Sequence, residues 1–330
     1  MRKVNSIVVA GIGGVGGYFG GKIAHNIEKT GNKEFQVHFI ARGEHFEVIK
    51  EQGLRLNMAD QSVMNCKPQS IADNFDEITD FNILFLAVKS YDLDFILEKI
   101  GPKIKDDTII LPLLNGIDIY ERIRKKIKSG IVLPSCVYIS SHIEKPGVIR
   151  HRSGKELIIL GPDPQRKNND VSILLKAFQK FGINYKWSED IELAIWEKFI
   201  FISSYGMVTA LYDKTVGEVF SDSNLKETTR KIMCEIYNLG KARNIPFDEN
   251  TIENALNIAK VIPTDTRTSY QLDVIKKGNK NESNIYAGTI LRMSEETGIN
   301  TPVTKNIYEK ILKMIEDKSS MPGQRARQNS

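Results

Sequence analysis

The chain has 330 residues, of which 41% are hydrophobic and 26% are charged, and its formal net charge is +5. This composition is typical of a soluble globular protein, and the length predicts about two domains. The charge is too small and too evenly spread along the chain to indicate nucleic-acid binding. It would suit the binding of an anionic small molecule equally well.

The cysteines and the apolar runs bear on metal binding, redox state and location. Cys66, Cys136 and Cys234 are far apart, and no cysteine–histidine cluster has metal-ligand spacing, so we predict no metal site and no disulfide framework. Free thiols fit a reducing cytoplasm. The apolar run at 7–10 is too short for a secretory signal, and no run approaches the ~18 residues of a membrane span. We therefore expect a cytoplasmic protein without membrane contact.

Strand and helix patterns alternate through the first half of the chain. Runs rich in apolar and β-branched residues predict strands at 6–11, 35–41, 81–90, 106–116 and 129–141. Helical periodicity lies between them, at 15–29, 91–100 and 118–127. This alternation is typical of a Rossmann-like doubly wound parallel α/β sheet. We expect it to be completed by a helix at 171–181 and by short strands at 147–153, 155–161 and 183–188.

The second half of the chain has a different pattern, with helical periodicity and almost no strand from Ile191 onward. Helices are predicted at roughly 190–205, 223–243, 248–260, 266–277, 283–297 and 303–317. The sequence thus predicts an α/β domain over residues 1–188 and an all-α domain over 189–330. The tail at 319–330 lacks apolar periodicity and is predicted to be disordered.

A glycine-rich turn follows the first predicted strand and opens the first predicted helix. Its pattern is G-x-G-x-x-G, formed by Gly11, Ile12, Gly13, Gly14, Val15 and Gly16. In such a turn the first glycine permits a tight bend, the second lets the backbone approach a pyrophosphate, and the third lets the helix pack closely on the strand. Free N–H groups at the helix N-terminus then face the anion. This context favours dinucleotide binding over a glycine-rich turn without a ligand.

The end of the second predicted strand bears on which dinucleotide binds. An NAD site usually has a carboxylate there, which holds the ribose diol. Here the strand ends in Ala41 and Arg42, and an arginine can grip the 2′-phosphate of NADP. The sequence therefore favours NADP, and NADPH as its reduced form. Glu44 leaves NAD open, and Arg42 can equally be a solvated loop residue.

Two ionisable residues occur at unusual positions in the predicted helical domain. Lys198 falls on the apolar stripe of its helix, beside Ile195 and Ile202. It either snorkels to the surface or is buried at a site, where it would give up a proton more readily. Glu282 begins another helix with an apolar face, although a glutamate in a first turn is also favoured by the helix dipole. Spacing alone favours the surface position for Lys198 and the helix-dipole reading for Glu282.

Asn115 and Lys89 follow two of the predicted strands. Ligands of open α/β sheets bind at the carboxyl ends of the strands, so we expect both residues on the same rim as the glycine-rich turn and Arg42. Asn115 and Gly116 also fit an ordinary turn, and Lys89 fits a solvated surface charge.

Several motifs, in this order along the chain, carry a resemblance to a known family. They are GIGGVGGYFGGKIA, VHFIARGEHFEVIKEQGLRL, LAVKSYDLD, LLNGI, IWEKF, TSYQLDV and NESNIYAG. Together they resemble the ketopantoate reductase (2-dehydropantoate 2-reductase) family. The resemblance implies an NADP-binding Rossmann domain and a helical domain of the 6-phosphogluconate dehydrogenase C-terminal type, with the active site in the cleft between them. It also implies NADPH-dependent reduction of a small 2-keto acid, ketopantoate, to pantoate, on the way to coenzyme A. A homodimer stays open.

The resemblance implies roles for residues of both domains. Lys198 matches the general acid that protonates the carbonyl oxygen as hydride arrives, and Glu282 matches the glutamate that holds the substrate hydroxyl. Ser269, with Thr268 as its rival, matches the serine that binds the substrate carboxylate. In the first domain, the matches to residues beside the nicotinamide, the substrate and the 2′-phosphate are Asn115, Lys89 and Arg42.

The chain departs from the family pattern beside Lys198. Family members often carry asparagines four and eight residues after the lysine, where this chain has Ile202 and Gly206. Neither side chain can hydrogen-bond a substrate, so a reductase of another 2-keto acid or of an imine stays open. So does a non-enzymatic NADP-binding regulatory protein whose helical domain docks a partner.

Overall fold

The computed structural model describes residues 4–152, 154–166, 169–277 and 280–320. The chain divides into two compact units between Ile191 and Glu192. Most of the predicted disordered tail lies outside the described residues, and the last helix runs to Ser320. Within the described ranges, no helix is both long enough and apolar enough to span a bilayer.

The first unit contains strands and helices in alternation. Its helices are α1 (Gly14–Thr30), α2 (Gly43–Gln52), α3 (Leu93–Ile100), α4 (Ile119–Lys126) and α5 (Ser172–Phe181). Its strands are β1 (Asn5–Ala10), β2 (Phe35–Ile40), β3 (Leu54–Asn57), β4 (Val63–Cys66), β5 (Ser70–Ala72), β6 (Ile83–Leu86), β7 (Ile109–Pro112), β8 (Ile131–Val132), β9 (Ser135–Tyr138), β10 (Ser141–Lys145), β11 (Val148–His151), β12 (Leu157–Leu160) and β13 (Tyr185–Trp187).

The main sheet has the strand order β5-β2-β1-β6-β7-β8, and every neighbouring pair is parallel. The central strands end level, since Ala10 pairs with both Ile40 and Leu86, and Leu86 pairs with Pro112. The chain order reverses at β1, as in a doubly wound nucleotide-binding sheet. The apolar residues of β1 and β6 are fully buried because helices cover both faces. The predicted parallel sheet is confirmed.

The later strands of this unit correct the prediction that they complete the parallel sheet. They lie instead in a four-stranded sheet, β10-β11-β3-β4, and a three-stranded sheet, β13-β12-β9. The single strand predicted at 129–141 is two strands in different sheets, β8 and β9, separated by Pro134, which has no N–H to donate to a ladder. Strands β3, β4 and β5 were not predicted, because they are short and weakly apolar.

The second unit is helical throughout its described residues. Its helices are α6 (Ile191–Tyr212), α7 (Val216–Ser221), α8 (Ser223–Ala242), α9 (Thr251–Asn257), α10 (Ser269–Lys277), α11 (Thr289–Thr297) and α12 (Pro302–Ser320), with a π-helical turn at Asn284–Gly288. Helix α6 extends seven residues beyond its predicted end at 205. Helix α7 was missed, although Thr215 and Glu218 form a capping box at its start.

Candidate active site

The glycine-rich turn lies at the carboxyl end of β1. Gly11 has a φ of 92°, a left-handed conformation that favours glycine, and its N–H donates to the carbonyl oxygen of Ile40 at 3.0 Å. A Cβ on Gly16 would overlap the carbonyl oxygen of Gly11, so α1 packs against the turn at van der Waals contact. A Cβ on Gly13, by contrast, would have no atom within 4 Å. The turn is therefore tightly packed at both ends and open at Gly13, where a pyrophosphate could approach the backbone.

Two contacts of this turn were not anticipated from the sequence. A Cβ on Gly14 would overlap the carbonyl oxygen of Ser141 in β10, so that glycine is needed for packing. His45 of α2 accepts a hydrogen bond at Nδ1 from the amide of Gly147 at 2.9 Å. Burial lowers the pKa of His45 below its usual 6.5, although a hydrogen bond with the backbone of Ile12 acts in the opposite direction. His45 thus connects α2 to the β10–β11 hairpin.

The other predicted residues of the first unit lie along the same rim. Arg42 follows β2, Lys89 follows β6 and Asn115 follows β7. Strands β2 and β6 flank β1 in the sheet, and β7 lies beside β6. The side chain of Arg42 is 52% exposed and lies 3.4 Å from the carboxylate of Asp92, a surface ion pair of little strength. Lys89 and Asn115 are half-buried. The expected gathering of these residues at one edge of the sheet is confirmed.

In the second unit, Lys198 and Glu282 occupy different environments. Lys198 is half-buried on α6, and the equally half-buried Ile202 lies one turn further along the same face. Glu282 is 5% exposed and stands in the turn before Asn284–Gly288, rather than in the first turn of a regular helix. Its carbonyl oxygen accepts hydrogen bonds from the amides of Ile285 and Tyr286, so both the helix-dipole reading and the functional reading stay open. A π-helical turn is rare and occurs frequently at functional sites.

The structure separates the two candidates for the carboxylate-binding hydroxyl. The Thr268 hydroxyl lies 2.8 Å from that of Thr209 and accepts from the amide of Gln271 at 3.2 Å. Thr268 therefore caps α10. Ser269 is the first residue of α10 and is exposed. Its hydroxyl lies beside the free N–H groups of a helix N-terminus, which favour an anion.

Three aromatic residues connect the segments that carry these candidates. We call Phe199, Tyr270 and Tyr286 the aromatic cluster. The ring of Tyr286 stacks on that of Phe199 at 6.3 Å and lies 4.9 Å from that of Tyr270. The hydroxyl oxygens of Tyr270 and Ser283 lie 2.6 Å apart. Burial raises the pKa of Tyr270, so its phenol stays protonated. Each member of these contacts adjoins or lies near a candidate in sequence: Lys198, Ser269 or Glu282.

The positions that depart from the family pattern offer no hydrogen-bonding side chain. Gly206 is buried, and a Cβ built on it would lie 3.4 Å from Cδ1 of Tyr270. Ser203 and Ser204 are fully buried, and their hydroxyl oxygens have no hydrogen-bond partner among the described residues. Among the residues that the structure describes, no group of three or more His, Cys, Asp or Glu side chains could hold a metal ion.

The two halves of the chain match two models of one protein family. Residues 7–165 match "Ketopantoate reductase PanE/ApbA", and residues 190–316 match "Ketopantoate reductase PanE/ApbA C terminal". The chain belongs to the ketopantoate reductase family. It is therefore an oxidoreductase acting on a CH–OH group. Family membership removes the non-enzymatic reading.

Individual relatives show the same likeness. A 2-dehydropantoate 2-reductase of Mesorhizobium japonicum is 26% identical over 261 residues, which are 73% of this chain and 77% of the relative. The crystal structure of 2-dehydropantoate 2-reductase from Porphyromonas gingivalis W83 is 27% identical, with a TM-score of 0.80 over 94% of this chain and 100% of that one. D-mandelate dehydrogenase, in a ternary structure with NADH and anilino(oxo)acetate, shares the fold at 22% identity, with a TM-score of 0.82 over 96% and 100% of the two chains.

Proposed function

We propose that this ketopantoate reductase family member reduces a small 2-keto acid to the 2-hydroxy acid with NADPH. Ketopantoate, reduced to pantoate for coenzyme A biosynthesis, is the first candidate substrate. The observation that carries the proposal is the aromatic cluster, which joins the segments of Lys198, Ser269 and Glu282 within the helical unit.

The first unit supplies the cofactor site in this proposal. The open side of Gly13 and the N-terminal N–H groups of α1 fit a pyrophosphate. Arg42 is exposed at the end of β2 and can hold a 2′-phosphate. Lys89 and Asn115, on the same rim, orient the nicotinamide and the substrate. NADPH, when bound, supplies the hydride.

The second unit supplies the proton and the substrate contacts. Lys198 donates a proton to the carbonyl oxygen and stabilises the negative charge that develops there. The Ser269 hydroxyl, at the N-terminus of α10, binds the substrate carboxylate. Glu282 accepts a hydrogen bond from the substrate hydroxyl. Thr268 serves as the cap of α10 rather than as a substrate ligand.

A second candidate is the reduction of a different 2-keto acid, or of an imine. It is favoured by the apolar surface of Ile202, one helical turn from Lys198, where family members often have an asparagine. Losing hydrogen-bond donors weakens the binding of a hydroxylated acid relative to an apolar one. The neighbouring D-mandelate dehydrogenase, crystallised with NADH, makes NADH the alternative cofactor to test.

The decisive experiment follows NADPH oxidation by absorbance with purified protein and ketopantoate, with NADH in parallel. Fast turnover with NADPH would support reduction of ketopantoate. A panel containing trimethylpyruvate, which is ketopantoate without its hydroxyl, and phenylglyoxylate would follow. Turnover of a panel member but not of ketopantoate would favour the second candidate, and no turnover of any acid or imine would contradict the proposed reduction.

A further inference from the structure

Tyr270 packs between three segments of the helical unit. It is 1% exposed, and its hydroxyl lies 2.6 Å from that of Ser283. One side of its ring faces Tyr286 at 4.9 Å. Another side faces α6 at Gly206, where a built Cβ would lie 3.4 Å from the ring. The only polar atom of the side chain is therefore engaged by Ser283, and the ring fills the space beside α6.

The hydroxyl contact joins two segments that carry candidate substrate ligands. Ser269 directly precedes Tyr270, and Glu282 directly precedes Ser283. The two bonded residues are 13 positions apart, and α10 ends at Lys277, before Glu282 is reached. Among the described residues after Lys277, positions 280–282 lie in a bend rather than in a helix. A buried hydrogen bond between neighbours of both residues restrains their separation more directly than the connecting chain does.

The ring of Tyr270 packs against α6 at Gly206, which has no side chain. A Cβ at 3.4 Å from Cδ1 is an ordinary contact, so a methyl group fits. An asparagine adds three further heavy atoms, which have little room on that side unless the ring moves. We therefore expect an asparagine at position 206 to displace the ring of Tyr270.

We infer that Tyr270 is a positioning residue, whose hydroxyl bond to Ser283 holds Glu282 and Ser269 at a fixed separation for the substrate and whose ring restricts position 206 to a small side chain. This inference rests on the proposed reduction of a 2-keto acid. Because its side chain is 1% exposed, Tyr270 would act on substrate binding through the two residues beside it.

The test removes the Tyr270 hydroxyl and compares the result with a matched control. Tyr205 is also a fully buried tyrosine of this unit, and its hydroxyl donates to the carbonyl oxygen of Leu256 at 3.3 Å. We expect Tyr270→Phe to raise KM for the keto acid about tenfold and to leave kcat and NADPH affinity within about twofold. Tyr205→Phe should leave KM unchanged. Equal KM values for the two variants would overturn the inference, since a merely structural role would not separate them.

Changes on the other side of the bond keep the test independent of how well Tyr270→Phe folds. Ser283→Ala should reproduce the rise in KM, and Ser283→Thr should retain the wild-type KM. The double variant Tyr270→Phe/Ser283→Ala should have a KM no higher than that of either single variant. Gly206→Ala should be tolerated, whereas Gly206→Asn should raise KM as Tyr270→Phe does. An unchanged KM in Ser283→Ala overturns the inference. Failure of the wild type to reduce any keto acid with NADPH or NADH would instead contradict the proposed function.

Discussion

The two units build their parts of the site in different ways. In the first unit, one continuous turn from Gly11 to Gly16 presents its backbone, and the sheet places Arg42, Lys89 and Asn115 beside it. In the second unit, the segments that carry the candidates on α6, at the start of α10 and at Glu282 are joined by contacts of the aromatic cluster. A site made of backbone depends on the absence of side chains, whereas a site made of side chains depends on packing between distant segments.

The largest effect expected from this comparison is a loss of turnover on substitution of Lys198, because a single side chain donates the proton in the proposed reaction. Lys198→Ala should lower kcat by about 10²- to 10⁴-fold, the range typical of a general acid. NADPH affinity, measured by fluorescence titration, should change little because the cofactor residues lie in the other unit. Lys214→Ala, an exposed lysine of the same unit paired with Glu218, is the control. A kcat close to that of the control would remove the acid assignment.

Substitutions in the glycine-rich turn should act through the space that an added Cβ occupies, because the turn contributes backbone groups rather than side chains. Gly16→Ala places a Cβ on the carbonyl oxygen of Gly11, so thermal unfolding should occur at lower temperature and NADPH binding should be lost. Gly13→Ala meets no atom of the protein. It should keep its stability within about 0.5 kcal/mol while weakening NADPH binding. If both variants behaved alike in stability and affinity, the assignment of the open side at Gly13 to the cofactor would be wrong.

Arg42 provides the one predicted side-chain contact to the 2′-phosphate. Arg42→Ala should lower kcat/KM for NADPH about tenfold, the size of one hydrogen bond to a charged group, and leave kcat/KM for NADH unchanged. Asp92→Asn is the matched control, since it removes the 3.4 Å ion pair and leaves Arg42 in place. A parallel decrease with both cofactors would show that Arg42 does not select NADPH.

Substitutions of the two neighbouring hydroxyl residues at the start of α10 should affect different properties, one the stability of the fold and the other substrate binding. Thr268→Ala removes a helix cap and should lower the free energy of unfolding by about 0.5–2 kcal/mol. Ser269→Ala should leave unfolding unchanged and raise KM for the keto acid severalfold, because its exposed hydroxyl is the proposed carboxylate ligand. Denaturant unfolding and steady-state kinetics on both variants measure the difference. The reverse pattern would make Thr268 the ligand.

The smallest expected effect is a pH dependence of the stability of the first unit, caused by His45. Its folded-state pKa is lowered by burial, so the unfolded chain binds the proton more tightly. The stabilisation is therefore complete above the unfolded-state pKa of about 6.5 and is lost as the pH falls from there through the lower folded-state pKa. His45→Asn keeps an acceptor for the amide of Gly147 without titrating. Its urea midpoint should decrease less than that of the wild type from about pH 8 to pH 5, and identical pH profiles would contradict this role.

Local patterns in the sequence determined most of the first site and the outline of the fold. Alternating apolar runs predicted the parallel sheet, and the glycine spacing predicted the turn, because both features arise from residues adjacent in the chain. The predicted rim of Arg42, Lys89 and Asn115 followed from a general rule about parallel sheets. For the second unit, periodicity predicted the helices. Spacing alone did not favour a functional role for Lys198 or Glu282, and only the family resemblance did.

Tertiary structure alone decided how separate segments meet. The sheets formed by β9 to β13, the contact of His45 with Gly147 and the placement of Tyr270 against Gly206 join residues far apart in sequence. It also separated Thr268, which caps α10, from the exposed Ser269. Such contacts depend on packing between complementary surfaces, and periodicity within one segment carries no information about which distant segment covers it.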